Sequence, residues 1–384
     1  MSSLPAQHPD SPPRLTFAVL AVGTVAFFTL GLIQASYGPA FSFFQTHYHI
    51  ALANVGLIAS THFLGSALGN PLPGFLLARF STAQVVGWSL LLLALGALLI
   101  AFAPLWSVAV VGALLCGAGL GSTSGVLNAA YASLGTQAVN LVNAIFGIGS
   151  MVSPLLLTGL GPHGLQWPYV VVAVCCVLSL LTAQLCGVPS IHVPAGTAPD
   201  RILTGREHRS LFVFALLLCL YVGLEVGFGT WSGKHLESLG IRNTALVLSG
   251  YWGGLTAGRI LTGLFGGRVK PGRLILAGAG LATVCALIAA LGQPQLAALA
   301  YIVAGLALGP IFGTSLAWLT HSLPARLIPF LLLSGSAGGV LMPVLLGQFY
   351  VRSGPQVVPL ILACVGLLVI GAILTLNRAL SQRS

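Results

Sequence analysis

The chain carries five acidic residues, Asp10, Asp200, Glu207, Glu225 and Glu237, and only Glu225 falls inside a long apolar run. A carboxylate removed from water must be protonated, paired or turned toward a wet cavity. Glu225 is therefore a candidate for binding a solute or carrying a coupling ion. The alternative is a structural role, as a pair with Arg259 or as a polar contact between helices. Arg259 is the one basic residue inside such a run. It either snorkels to the near surface or enters a cavity on the face shared with Trp252 and Thr256. On ideal helices Glu225 lies about 21 Å from one end of its run and Arg259 about 12 Å from the corresponding end of its own. Two long side chains close that difference only if they face each other.

Neutral polar and aromatic residues recur at helical spacing: Gln34 with Tyr37, Asn128 with Tyr131, Asn140 with Asn143, and Tyr221 with Glu225 and Phe228. Residues three or four apart share a helix face, so each group can present hydrogen-bonding edges beside a ring. That chemistry suits a neutral polyhydroxyl solute, whereas a phosphorylated one wants several cations. For each amide the alternative is a buried bond between helices. Trp231 and Trp318 either cap a cavity or sit in interfacial aromatic belts. His62 reads as an ordinary hydrogen-bonded histidine. The seven cysteines lie in apolar stretches without metal-type spacing, as packing residues do. No cofactor is expected beyond a coupling proton or sodium ion.

The elements that must position these residues follow from composition. Of 384 residues, 57% are hydrophobic and 5% charged, and the mean hydropathy is +1.00. A soluble domain has about 25% charged residues, so soluble enzymes, nucleic-acid binders and disordered chains are excluded, and the partner of most of the surface is the lipid bilayer. A crossing needs about 20 apolar residues. Twelve segments qualify: 15–40, 52–77, 83–103, 106–132, 138–160, 167–187, 211–234, 244–266, 273–291, 295–320, 327–349 and 355–377. The expected organisation is a tail over 1–14, a six-helix bundle over 15–187, a central loop over 188–210, a second bundle over 211–377 and a tail over 378–384. With the N-terminus in the cytoplasm, eleven basic residues fall inside (Arg14, Arg79, Arg201, Arg206, Arg209, Arg268, Lys270, Arg273, Arg326, Arg378 and Arg383) and three outside (Lys234, Arg242 and Arg352). That bias places both termini in the cytoplasm and accounts for the +10 net charge without a nucleic-acid partner.

The halves repeat. A shift of about 189 residues lays His62 through Gly65, Gly69, Gly74 and Arg79 over Tyr251 through Gly254, Gly258, Gly263 and Arg268. Gly117, Gly121 and Gly125 likewise fall on Gly305, Gly309 and Gly313, and Gly149 and Pro154 on Gly338 and Pro343. The first and seventh spans agree weakly, through Gly31-Leu32 and Gly223-Leu224. Two six-span bundles related by an axis along the membrane normal are an architecture of secondary transporters, with the site between the halves.

On these residues the chain resembles the major facilitator superfamily over nearly its whole length. That family's second-to-third-span connection usually reads Gly-x-Leu-Ala-Asp-Arg-x-Gly-Arg. Here Gly74, Leu76 and Arg79 match, while Ala78 and Ser81 replace the Asp and the second Gly. The resemblance implies a gating role for Gly74, Arg79 and Arg268, without the family's charged lock. Tyr221–Trp231, Tyr251–Arg259 and Asn140–Gly149 are similar to the fucose permease branch and its sodium-glucose relatives. That branch often has His or Gln where Asn143 stands, and often an acid in the fourth span, where Gly119 to Leu134 has none.

The fold expected is therefore all-α and integral to the membrane, with twelve transmembrane helices in two pseudo-symmetric bundles. The function expected is secondary transport of a small neutral polar solute, a sugar or polyol, by a monomer in the plasma membrane working by alternating access. Substrate contacts are assigned to Gln34, Tyr37, Asn128, Tyr131, Asn140, Asn143, Tyr221, Glu225, Trp252 and Trp318, and coupling to Glu225 and Arg259. A drug or metabolite exporter is the main alternative; a receptor or an intramembrane enzyme is more remote. The nearest stretch to a hydrolase elbow, Gly121-Ser122-Thr123-Ser124-Gly125, puts Thr at the nucleophile position.

Overall fold

In lipid, every backbone polar group must be satisfied within the protein, which leaves helices or closed barrels. The computed structural model describes residues 17–132, 134, 136–189, 204–322 and 328–381, and is helical with no strand among them. Arg14, Arg201, Arg326, Arg383 and most of the central loop lie outside the described residues. The first half holds α1 (Phe17–Gln34), α2 (Tyr37–Tyr48), α3 (Leu52–Val55), α4 (Leu57–Gly69), α5 (Leu72–Leu76), α6 (Thr82–Ala101), α7 (Trp106–Ala132), α8 (Thr136–Leu160) and α9 (Gln166–Cys186). The second holds α10 (Gly205–Ser238), α11 (Thr244–Phe265), α12 (Pro271–Ala289), α13 (Pro294–Ser322), α14 (Ile328–Ser353) and α15 (Val357–Ser381).

Among the described residues, ten stretches are long and apolar enough to cross a membrane, and α1 with α2 supplies an eleventh as a pair bent by 51°. The remaining span of the twelve expected is α11. It is 22 residues long but misses that apolarity, because Tyr251, Trp252, Arg259 and several glycines dilute it. The helix least suited to lipid is one that carries the candidate site.

The first span is not one helix over 15–40. Pro39 has no N–H to give the Ala35 carbonyl, and its ring crowds that group. The chain turns at Ala35–Ser36 through Ser36 N–H to Ile33 O at 3.2 Å and resumes as α2. The second span is also interrupted, at Gly56 and at Asn70–Pro71, whereas Pro154, Pro310 and Pro343 stay inside α8, α13 and α14. The seventh starts at Gly205 rather than 211, where the Thr204 and Glu207 side chains cap each other's backbone N–H. Gly187 (φ 75°) and Gly354 (φ 81°) end α9 and α14 in the left-handed region, where a Cβ is costly.

The halves pack alike. In the first, α4 and α6 lie on α7, α1 on α8 and α9, and α6 on α9. In the second, α11 and α12 lie on α13, α10 on α14 and α15, and α12 on α15. The repeated glycines are the contact points. A Cβ at Gly117 would strike the His62 carbonyl, and one at Gly305 the carbonyl of Tyr251, the repeat mate of His62. Gly121 and Gly309 meet Ser66 and Leu255 in the same way. Gly149 meets the Phe28 carbonyl and Gly338 that of Cys219, which sets the shift of α1 onto α10 at 191 residues. The pairing of Gly31 with Gly223 is thus one residue out of register. Gln34 corresponds to Glu225, and Gly38 to Gly229.

The outer surface carries exposed Leu91, Leu95, Phe102, Val174, Val177, Leu185, Leu287, Leu367 and Leu368, the pattern of a protein solvated by lipid chains. The halves join through α4 with α14, α8 with α11 and α2 with α10.

Candidate functional site

Glu225 sits midway along α10, its side chain 12% exposed, and three residues from two helices address it. Tyr221, one turn earlier, donates its hydroxyl to Glu225 Oε2. Arg259 on α11 places Nη2 3.3 Å from Oε1 and 3.5 Å from Oε2. Tyr251, also on α11, donates its hydroxyl to the Glu225 backbone carbonyl at 2.8 Å. Arg259 therefore pairs rather than snorkels. Its side chain is still 34% exposed, so the pair has one open side.

Next to this cluster lies a small cavity between the halves, lined by Gln34, Ala35, Gly38, Phe63, Val226, Gly229, Thr230 and Trp252. Its lining has no formal charge. Thr230 spends its hydroxyl proton on the Val226 carbonyl at 2.7 Å and so offers an acceptor. Gln34 offers an amide, and the indole Nε1 of Trp252, buried, has no hydrogen-bond partner among the described residues. In the present arrangement there is room for about one water molecule.

The other sequence candidates are not gathered here. Tyr37 is buried and bonds His62 Nδ1 at 3.0 Å, joining α2 to α4. Asn143 donates to Asn128 Oδ1 and to the Val139 carbonyl, both at 2.9 Å, which makes the two amides partners across α7 and α8. Tyr131 is buried in a cluster with Ala26, Phe27, Val85 and Val142, and Asn140 is exposed. Trp318 packs edge-on to Phe214 at 5.5 Å, about 16 Å along α10 from Glu225. Trp231 is fully buried and donates Nε1 to the Pro343 carbonyl at 2.9 Å. Gly74 has nothing within 4 Å of a built Cβ. Arg79 and Arg268 are exposed, the latter 6.0 Å from the Phe265 ring.

Sequence reasoning missed a junction between the halves near the α2 and α10 C-termini. Lys234 Nζ donates to Ser42 Oγ at 2.6 Å, the Ser42 hydroxyl donates to Glu237 at 3.1 Å, and Lys234 and Glu237 pair at 3.1 Å. Beside it Phe41 meets Trp231 edge-on at 5.3 Å, and the backbones of Gly38 and Gly229 touch. A lysine and an acid one turn apart near a span end were the available signal. Nothing in the linear sequence points to Ser42.

Comparison with known proteins follows this geometry. The Major Facilitator Superfamily matches residues 23–332. No curated protein sequence matches the chain. Among solved structures, a mutant form of the nucleoside transporter NupG superposes with a TM-score of 0.77 at 16% identity, over 94% of this chain and 99% of that one. The peptide transporter POT in complex with sulfate gives 0.76 at 14% identity over 97% of both chains. A bacterial homolog of the human lysosomal transporter Spinster, inward-facing and unoccupied, gives 0.74 at 14%, over 96% and 98%. These likenesses show the fold. The six-plus-six packing, the repeated glycine contacts and the family match agree, and the chain belongs to the Major Facilitator Superfamily as a membrane transporter rather than an enzyme.

Proposed function

We propose that the protein is a secondary transporter of a small neutral polar solute, a sugar or polyol, coupled to a cation through Glu225. The observation that carries this reading is the uncharged, hydrogen-bonding cavity between the halves, next to a buried carboxylate with one open side. An exporter of lipophilic cations would be served by an acid in the cavity wall, and Glu225 is not among the lining residues. In this proposal residues 15–187 and 211–377 rock against each other as a monomer, and the coupling ion is a proton. The basic bias of the loops orients both termini toward the cytoplasm, in the plasma membrane. The junction at Ser42, Lys234 and Glu237 then closes the outer side, and Arg259 opens toward the inner. Uptake is the direction that the branch resemblance implies.

Counterflow in proteoliposomes tests the solute class, since it needs binding and alternation but no gradient. Exchange of a labelled monosaccharide or polyol is expected. If the protein exchanges none of a broad panel but exchanges lipophilic cations, the exporter alternative takes its place.

A further inference from the structure

The cavity wall is built from repeat mates. At a shift of 191 residues Ala35 corresponds to Val226 and Gly38 to Gly229, and at 189 Phe63 corresponds to Trp252; all six line it. The cavity therefore lies on the axis that relates the halves, and Gly38 and Gly229 meet there. A symmetric wall would offer a solute two equivalent aromatic faces. The chain breaks that equivalence at its aromatic pair, because Trp252 carries an N–H where Phe63 carries none.

That N–H is costly where it stands. Trp252 is 4% exposed and its Nε1 is buried without a partner, although buried indoles ordinarily find one. A built Cβ on Gly229 would lie 2.9 Å from Cζ2 of the indole, so the glycine makes room for the ring in this position. An indole nitrogen only donates. The group that satisfies it must be an acceptor, and the neighbouring Gln34 amide is free to read a second polar group on the same molecule.

We infer that the Trp252 indole N–H is the specificity-determining donor of this cavity, and that it selects neutral ring solutes presenting a hydrogen-bond acceptor to it. This inference rests on the proposed transport reading. A solute lying against Phe63 and Trp252 contributes its ring face, and its acceptor oxygen decides orientation. In the present arrangement the cavity must widen to admit such a ring. Glycines at 38 and 229 bring the two backbones into close approach and fit a wall that separates and closes again.

The test is a cycle between protein and ligand. Purified wild type and Trp252→Phe are titrated with a panel of monosaccharides, cyclitols and ribonucleosides and with their single-deoxy analogues. Trp252→Phe keeps an aromatic face and loses the donor; its thermal melt checks folding. One hydroxyl position is expected whose removal weakens wild-type binding about tenfold and leaves Trp252→Phe unaffected, with the parent solute about tenfold weaker on the variant. Equal losses on both proteins at every position overturn the inference, as does a panel that wild type does not bind. Spin-label distances across the two faces of the same samples report alternation independently. Faces that alternate with no panel member bound would sink the pocket and leave the transporter reading intact. Faces that never alternate would sink both.

Discussion

Arg259 reaches Glu225 from a neighbouring helix, Nη2 to Oε1 at 3.3 Å, although the two residues stand at different depths on their own spans. Tyr251, two turns from Arg259 on α11, ties the same stretch of α10 by its backbone, at 2.8 Å from the Glu225 carbonyl. The backbone at Glu225 is thus tied by a neutral bond, while its carboxylate takes the Tyr221 hydroxyl and the Arg259 guanidinium.

Removing one member of the pair strands the other. Arg259→Gln is expected to destabilise the purified protein by about 1–3 kcal/mol, less than the roughly 3–5 kcal/mol of a fully buried broken pair because the arginine is partly exposed. Adding Glu225→Gln should restore more than half of that loss. Thermal melts of the two single variants and the double one measure the coupling.

The repeated glycines divide into crowded and open sites. Gly117→Ala and Gly305→Ala would each push a Cβ into a facing carbonyl and are expected to cost about 1–3 kcal/mol. Gly74→Ala and Gly263→Ala, with nothing within 4 Å, should change stability by less than about 0.5 kcal/mol. Melting temperatures in one detergent check all four.

How much of this was legible in the sequence follows from what sequence encodes. Glu225 and Arg259 stand out because charges are rare in apolar runs, and the glycine repeat because it recurs at nearly one offset. Depth along a span can be counted, but the direction a side chain faces depends on packing. Trp318 and Tyr131 therefore read as site residues and turn out to pack against Phe214 and in an apolar cluster. The bend at Ala35–Ser36 hides in an unbroken apolar run, since the proline responsible acts four residues upstream of itself. The one-residue error between α1 and α10 concealed that Gln34 matches Glu225 and that Gly38 meets Gly229. Both follow only from the carbonyls that Gly149 and Gly338 touch.

The junction at Ser42 is expected to bias the resting state. Glu237 is 43% exposed, so each contact is worth at most about 1 kcal/mol. Ser42→Ala with Glu237→Gln removes two such contacts across the halves and should raise the population open on that side by up to about thirtyfold. Spin-label distances between α2 and α10 would show the shift, while the melting temperature stays nearly constant.

Asn128 and Asn143 are expected to act as helix partners. Asn143→Ala should cost about 0.6 kcal/mol, as for hydrogen bonds between membrane helices, and leave the KM for transported solute within about twofold. Flux and melts on the same preparation separate a packing role from a binding one.

The central claim is that Glu225 couples solute movement to a proton gradient. Proteoliposomes holding wild type or Glu225→Gln, supplied with a solute that both exchange in counterflow, are given an inward proton gradient. The account predicts accumulation above equilibrium by wild type and equilibration only by Glu225→Gln. Accumulation by both forms to the same level would contradict it.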